Sequence, residues 1–408
     1  MYWKFFYNEI EPSYNSYTNL LKVLENKSDE FYKLDDIFYS KYNIKKLLEY
    51  EKQKKQKVLE IFKIIIDNFS ILKKIPCAIY MNGSYARNSI TARSDLDLTF
   101  YFEKNDIDKY KTLVYLIRYA ISKMFNVNIV HVHSFTKNFT TKYRKENDLI
   151  EYDQNLETDI IWNSTGDKLK INYPENQMIT EREICEITSI KCIDDLLNVI
   201  KMRLDENIPK EWMYTYECVH MTNDSFDLDR KIKDLDKSYN SEIIKKFLIN
   251  IKNEILSLSN ELKLYFDELK LSNDIKLGDF NMNGKRRVTL LINTFATYLK
   301  WYYIYNNNYD FIEPLNIEKI LDYNSAFNIN KIKENYYYYK YLLSRIEIWA
   351  VKFNHHFEHR SKETVTKEII KQEYHDMWKN DYNEIEEQIN TFNDMNNEII
   401  NLLNSIEI

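Results

Sequence analysis

Gly83-Ser84-Tyr85-Ala86-Arg87, followed by Ser94-Asp95-Leu96-Asp97-Leu98, is the stretch of this chain whose residue types could do chemistry together. An apolar run, Ala78-Ile79-Tyr80-Met81, leads towards Gly83, one of only four glycines in 408 residues. Side chains alternate along a strand, so on a strand Asp95 and Asp97 share one side while Leu96 and Leu98 face a core on the other. Two neighbouring carboxylates repel each other unless a cation lies between them. Mg²⁺ suits them, because it takes one or two carboxylates together with substrate phosphates. Gly83 lacks a Cβ and lets backbone approach a phosphate closely. Ser84 would open a short helix whose free N–H groups favour an anion, and Arg87, one turn on, could grip a phosphate oxygen. The candidate set is therefore Asp95 and Asp97 for the metal, with Gly83, Ser84, Arg87 and Ser94 for a nucleotide. Asp-x-Asp and Gly-Ser are each ordinary structural features when taken alone; their order and spacing carry the reading.

The elements that must position these residues follow from the surrounding pattern. Strands are expected over Cys77–Asn82, Asp95–Phe102 and Val127–Ser134, with a further one near Asp159–Trp162. A short helix is expected over Ser84–Ile90 and a longer one over Ile107–Phe125. Upstream, residues 44–70 carry a helical pattern in which the Lys-rich stretch Glu51–Lys57 reads as a solvated face. From Thr180 onward the pattern is helical, with candidates at 181–204, 240–268, 285–305, 316–322, 330–357, 362–377 and 380–406, broken around Gly278–Gly284. The expected fold class is α+β: a small mixed β-sheet domain with a large, mostly α-helical C-terminal domain. The expected division is a leader over 1–43, the sheet domain over 44–180 and the helical domain over 181–408. The helical domain should wall one side of the cleft. Lys285-Arg286-Arg287 would then reach a triphosphate or acceptor, or else form a solvated helix end. The aromatic run Tyr336–Tyr339 is expected to pack rather than stack on a base.

The net charge of −6 argues against non-specific nucleic-acid binding over the whole surface. Scarce Gly and Pro favour a mostly helical chain. Cys77, Cys185, Cys192 and Cys218 are scattered; the seven-residue gap between Cys185 and Cys192 is a helical core spacing rather than a zinc pair, and all four are read as reduced. No run approaches the ~20 apolar residues of a membrane span, and the N-terminus lacks a signal-peptide core. The expected location is the cytoplasm.

The motif resembles the nucleotidyltransferases of the DNA polymerase β type, and within them the bacterial PII uridylyltransferase and related stand-alone nucleotidyltransferases. The resemblance rests on Asn82-Gly83-Ser84-Tyr85-Ala86-Arg87 and Ser94-Asp95-Leu96-Asp97-Leu98. It continues faintly at His133-Ser134-Phe135, at Ile187–Lys191, at Asn281–Arg287 and over Leu342–Glu373. It implies transfer of a nucleoside monophosphate from a nucleoside triphosphate to an acceptor hydroxyl, with Mg²⁺ held by Asp95 and Asp97 and pyrophosphate released. It also implies a protein acceptor. A small molecule, a second nucleotide as in cyclic-dinucleotide synthases, and an RNA 3′ end are the other acceptors, and the negative charge lowers the last.

Departures from the family pattern matter. The expected third carboxylate is missing from Asn128-Ile129-Val130-His131-Val132-His133; Asp159 is the carboxylate candidate, His131 or His133 is the alternative base or simply a pair on a half-exposed strand face, and the role being filled by none of them stays open. His375-Asp376 stands without the surroundings of a phosphohydrolase site. The alternative to an enzyme is a nucleotide-binding module with weak or no catalysis.

Overall fold

The computed structural model describes residues 14–68, 76–94, 96–102, 130–132, 190–192, 219–220, 227, 230, 234, 240–308, 315–323, 329–357, 361–379 and 384–406. Helices dominate these residues, and a small mixed sheet carries the Gly83 segment. The first described elements are α1 (Tyr14–Tyr32), a 3-10 turn (Lys33–Tyr39) and α2 (Ile44–Asn68). β1 (Cys77–Asn82) runs directly into α3 (Gly83–Arg87), and β2 (Leu96–Phe102) returns antiparallel to β1. β3 (Val130–Val132) pairs parallel with the first half of β2, and β4 (Ile190–Cys192) pairs parallel with its second half. β5 (Val219–His220) pairs antiparallel with β1.

Every residue from Cys77 to Met81 is buried, so both faces of β1 are covered. That is why β1 reads as a continuous apolar run rather than an alternating one. Ala78 and Tyr80 belong to the same core as the helices that follow.

Those helices are α4 (Ser241–Leu271), the short α5 (Leu277–Phe280), a π-helical turn (Asn281–Arg287) continuing into α6 (Val288–Tyr305), and α7 (Ile317–Asp322). They are followed by α8 (Asn330–Lys352), α9 (Lys367–Trp378) and α10 (Glu384–Ser405). In α4 the buried positions Ile244, Phe247, Leu248, Ile251, Ile255, Leu258 and Leu262 recur at helical spacing. Asn240, Asn316 and Thr366 cap α4, α7 and α9 by accepting a backbone N–H from the first turn. β6 (Asp274–Lys276) and β7 (Thr364–Thr366) form a small antiparallel pair at one end of this layer. Gly278 beside it is required, because a Cβ there would lie 2.3 Å from the Ser361 carbonyl oxygen.

Several expectations need correction. Residues 190–192 are a strand, not part of a helix over 181–204, and β4 and β5 bring residues beyond 180 into the sheet. A short apolar run such as Ile190-Lys191-Cys192 does not distinguish strand from helix by period alone. The Glu51–Lys57 stretch is not a uniformly solvated face, because Glu51 and Lys54 are buried. Their charges are matched from outside α2, Glu51 by Lys340 and Lys54 by Asp35. The stretch 362–377 begins with β7 before the helix starts. Within the leader, residues 14–39 are helical, and Phe31, Asp35 and Phe38 are buried. The Tyr run packs as expected, with Tyr336, Tyr337 and Tyr339 buried. Among the described residues, no helix is long and apolar enough to cross a membrane.

Candidate functional site

The junction of β1 and α3 is built around Gly83, whose φ of 66° lies in the left-handed region. A side chain at that φ meets the following backbone, so glycine is the residue that turns the strand into the helix without strain. The helix lasts five residues and stops at Asn88, also left-handed at φ 56°. The Ser89 N–H then donates back to the Ser84 carbonyl at 2.9 Å, which closes the helix end in a Schellman arrangement. Lys55 of α2 holds the turn from outside by donating to Asn88 Oδ1 at 2.7 Å. Tyr85, Ala86 and Arg87 are buried. Ser84 Oγ is buried and has no hydrogen-bond partner among the described residues. An unsatisfied buried hydroxyl costs free energy.

β2 runs beside this junction. Asn82 at the end of β1 is the register partner of Asp97, and on the other edge of β2 the partner of Asp97 is His131 of β3. The fold therefore places the Asp97 position one residue across from the Gly83-Ser84 turn. Asp95, Asp159 and His133 lie outside the described residues. Among the described residues there is no group of three or more His, Cys, Asp and Glu side chains that could hold a metal ion.

Ser94 is engaged locally. Its hydroxyl accepts the Thr91 N–H at 2.8 Å and shares a hydrogen bond with Thr91 Oγ1 at 3.0 Å. The turn it closes, Thr91–Ser94, is held from three directions. Glu347 of α8 accepts from Thr91 Oγ1 at 3.1 Å and from the Arg93 N–H at 2.8 Å. Ser344, one turn earlier on α8, accepts the Ala92 N–H at 3.1 Å. Lys54 donates to the Ala92 carbonyl at 2.8 Å. The Arg93 guanidinium pairs with Asp35, which also pairs with Lys54 at 3.1 Å and accepts from Tyr50 at 2.9 Å.

The basic run after Gly284 divides its roles. Lys285 lies 2.7 Å from Glu347 and reaches the Arg93 carbonyl at 3.5 Å, so it does come to the turn that precedes β2. Arg287 pairs with Glu261 of α4. Gly284 itself lends its carbonyl to the Tyr339 hydroxyl, which ties the π-helical turn to α8.

Burial governs the charges behind the site. It pushes the Glu51 carboxyl up to about 7 even though Lys340 pulls the other way, and it lowers the Lys340 ammonium despite Glu51. Burial likewise lowers Lys54 to about 8 against the opposing pull of Asp35. Glu51, Lys54, Asp35, Ser344 and Glu347 were not among the residues singled out in the sequence for chemistry. For Ser344 and Glu347 the available signal was polar residues at helical spacing inside a stretch of α8 otherwise filled by Leu342, Leu343, Ile346, Ile348 and Trp349.

No protein-family model matches the chain, and no curated protein matches it.

Proposed function

We propose that the chain is a Mg²⁺-dependent nucleotidyltransferase that moves a nucleoside monophosphate from a nucleoside triphosphate to an acceptor hydroxyl, with the acceptor on a protein. The observation that carries this reading is the β1–β2 register, which sets Asp97 opposite Asn82, the residue before Gly83-Ser84. The left-handed Gly83 and the unsatisfied, buried Ser84 Oγ beside it fit a phosphate-bearing ligand.

In this reading the acceptor oxygen bonds to the α-phosphorus as the bond from that phosphorus to the bridging oxygen breaks. Pyrophosphate leaves, and the acceptor proton passes to a base. Asp95 and Asp97 would hold Mg²⁺, whose chemistry when bound is to neutralise phosphate charge. Ser84 would hydrogen-bond a phosphate oxygen, and Arg87 would lend its positive charge. Asp159 is the proposed third carboxylate. Transfer would then rest on positioning and electrostatics.

A second reading has its own support. The register neighbour of Asp97 on β3 is His131 and not a carboxylate, which favours a nucleotide-binding module of weak catalysis. Incubating the full chain with each labelled nucleoside triphosphate, Mg²⁺ and candidate protein acceptors separates the two. Pyrophosphate release with label on the acceptor supports the enzyme, and tight binding without turnover supports the module. Asp97→Asn should lower transfer by at least ~100-fold while leaving the fold intact, the scale of losing a major electrostatic contact. A near-normal rate would remove Asp97 from the site.

A further inference from the structure

Three consecutive backbone N–H groups lead into the carboxylate strand, and each is captured by a side-chain oxygen. Thr91 N–H goes to Ser94 Oγ, Ala92 N–H to Ser344 Oγ and Arg93 N–H to Glu347 Oε2. Two of the three captors belong to α8, more than two hundred residues away in the chain. Glu347 uses both oxygens, since Oε1 takes Thr91 Oγ1 and Lys285 Nζ.

We propose that Glu347 is a positioning residue for the nucleotide site: by gripping Thr91 and Arg93 it fixes the turn from which β2, the strand of Asp97, is entered, and through Lys285 it makes that placement depend on the docked helical layer. The proposal rests on the nucleotidyltransferase reading above.

The energetics of the position argue for a specific task. The Glu347 side chain is 1% exposed, and Lys285 opposite it is 24% exposed. Taking a carboxylate out of water costs several kcal/mol on the usual scale, and a well-packed apolar residue often replaces such a pair with no loss of stability. The neighbours Ile346, Ile348 and Trp349 show that the helix is otherwise filled with apolar side chains here. What an apolar residue at 347 could not do is accept the Arg93 N–H and the Thr91 hydroxyl. Arg93 lies three residues before β2 begins at Leu96, so the turn that Glu347 holds is the point from which the strand carrying Asp97 is entered. Misplacement of about 1 Å by a change remote from the reacting atoms can cost on the order of 100-fold in rate.

The test uses the full chain and two readouts. Hydrogen exchange of residues 91–98 reports the strand entry directly, and calorimetry with ATP, GTP, CTP and UTP in the presence of Mg²⁺ reports the site. In Glu347→Leu, exchange at 91–98 should accelerate while α6 and α8 stay protected, and Mg²⁺–nucleotide affinity should fall about tenfold or more, below the ~100-fold scale of full misplacement. Glu347→Gln alone sets an amide against the Lys285 ammonium and should also weaken binding. The pair Glu347→Gln with Lys285→Met keeps an acceptor for Arg93 without that clash and should recover most of the affinity. A merely structural role would lower thermal stability but leave the affinity of the folded protein unchanged. If Glu347→Leu fails to fold, Ser344→Ala and the Gln–Met pair carry the same comparison. Wild-type nucleotide affinity with unchanged exchange in the Glu347 variants overturns the proposal alone. Absence of Mg²⁺–nucleotide binding by the wild-type chain overturns the underlying reading, and the positioning role with it.

Discussion

Lys340→Met should destabilise the protein in a pH-dependent way that follows from one buried pair. Lys340 of α8 meets Glu51 of α2, with each side chain only 4% exposed. Burial is the largest influence on both groups, raising the Glu51 carboxyl to about 7 and lowering the Lys340 ammonium. Both shifts favour the uncharged forms. A carboxyl whose folded value is raised contributes stability that is complete below its unfolded value of 4.5 and is lost as pH rises through about 7. Above that pH the wild-type contribution of Glu51 no longer changes. Without Lys340 the carboxyl is pushed higher still, so the loss continues at about 1.4 kcal/mol per pH unit. The gap between variant and wild type should therefore widen by about 2 kcal/mol between pH 7 and pH 8.5. At pH 5 Glu51 is protonated in both proteins, Met relieves the buried ammonium, and the gap should be small. The lowered Lys340 value in the wild type acts in the same sense, because stability lost at low pH returns as that group deprotonates. The double variant Glu51→Leu with Lys340→Met removes both charges and should be at least as stable as Lys340→Met at every pH, approaching or exceeding wild type. Urea midpoints of the three proteins at pH 5, 7 and 8.5 provide the measurement. A gap that stays constant with pH, or a double variant no better than the single one at pH 8.5, would refute the reasoning.

Other outcomes follow from particular residues. Gly83→Ala should lower stability by about 1–2 kcal/mol, the usual penalty for a Cβ in the left-handed region, and Gly83→Asn by less; equal melting temperatures for Gly and Ala would mean that the turn relaxes. Gly278→Ala should separate β6 from β7, since the new Cβ would fall 2.3 Å from the Ser361 carbonyl oxygen, and exchange at 274–276 and 364–366 should rise. His355 is held between Glu363 at 2.6 Å and Glu373 at 2.8 Å, and these carboxylates raise its imidazole above 6.5 although burial opposes them. The stability it adds should be complete below 6.5 and lost as pH rises through the raised value, so a ring titration by NMR at or below 6.5 would contradict the arrangement.

The parts of this fold legible in the sequence are those set by neighbours in the chain. Cys77–Asn82 is read as a strand because it is a continuous apolar run after a proline, and Gly83 as a turn because few residues tolerate its φ. The long helices α2, α4, α8 and α10 declare themselves by repeated apolar spacing. β4 and β5 were missed for the converse reason. Ile190–Cys192 and Val219–His220 are described as strands through their pairing with the edges of β2 and β1, and no local pattern encodes an edge. The pairing of Asp97 with Asn82 follows the expected strand–helix–strand order. The hydroxyl of Ser94, read as a nucleotide-binding group, accepts the Thr91 N–H in this structure.

The charged residues are the instructive case. Glu51, Lys54, Lys340 and Glu347 each resemble a solvated position, because Lys and Glu are almost never fully buried unless paired. Here they are paired, across 289 residues for Lys340 and Glu51. On α8 the positions Tyr336, Lys340, Ser344 and Glu347 fall four, four and three residues apart, which places them along one stripe of the helix. Lys340 in that stripe meets α2, and Ser344 and Glu347 meet the turn before β2. A polar stripe in a helix whose remaining sides are buried cannot be facing water. It must face a polar partner inside the protein, and the partner that most needs side-chain oxygens is backbone outside regular structure, such as Thr91–Ser94. The physical signal was therefore in the sequence of α8, but it becomes readable only once the burial of the opposite faces is known. That same stripe joins the helical layer to the entry of the carboxylate strand, so the placement of Asp97 depends on residues that no local motif contains.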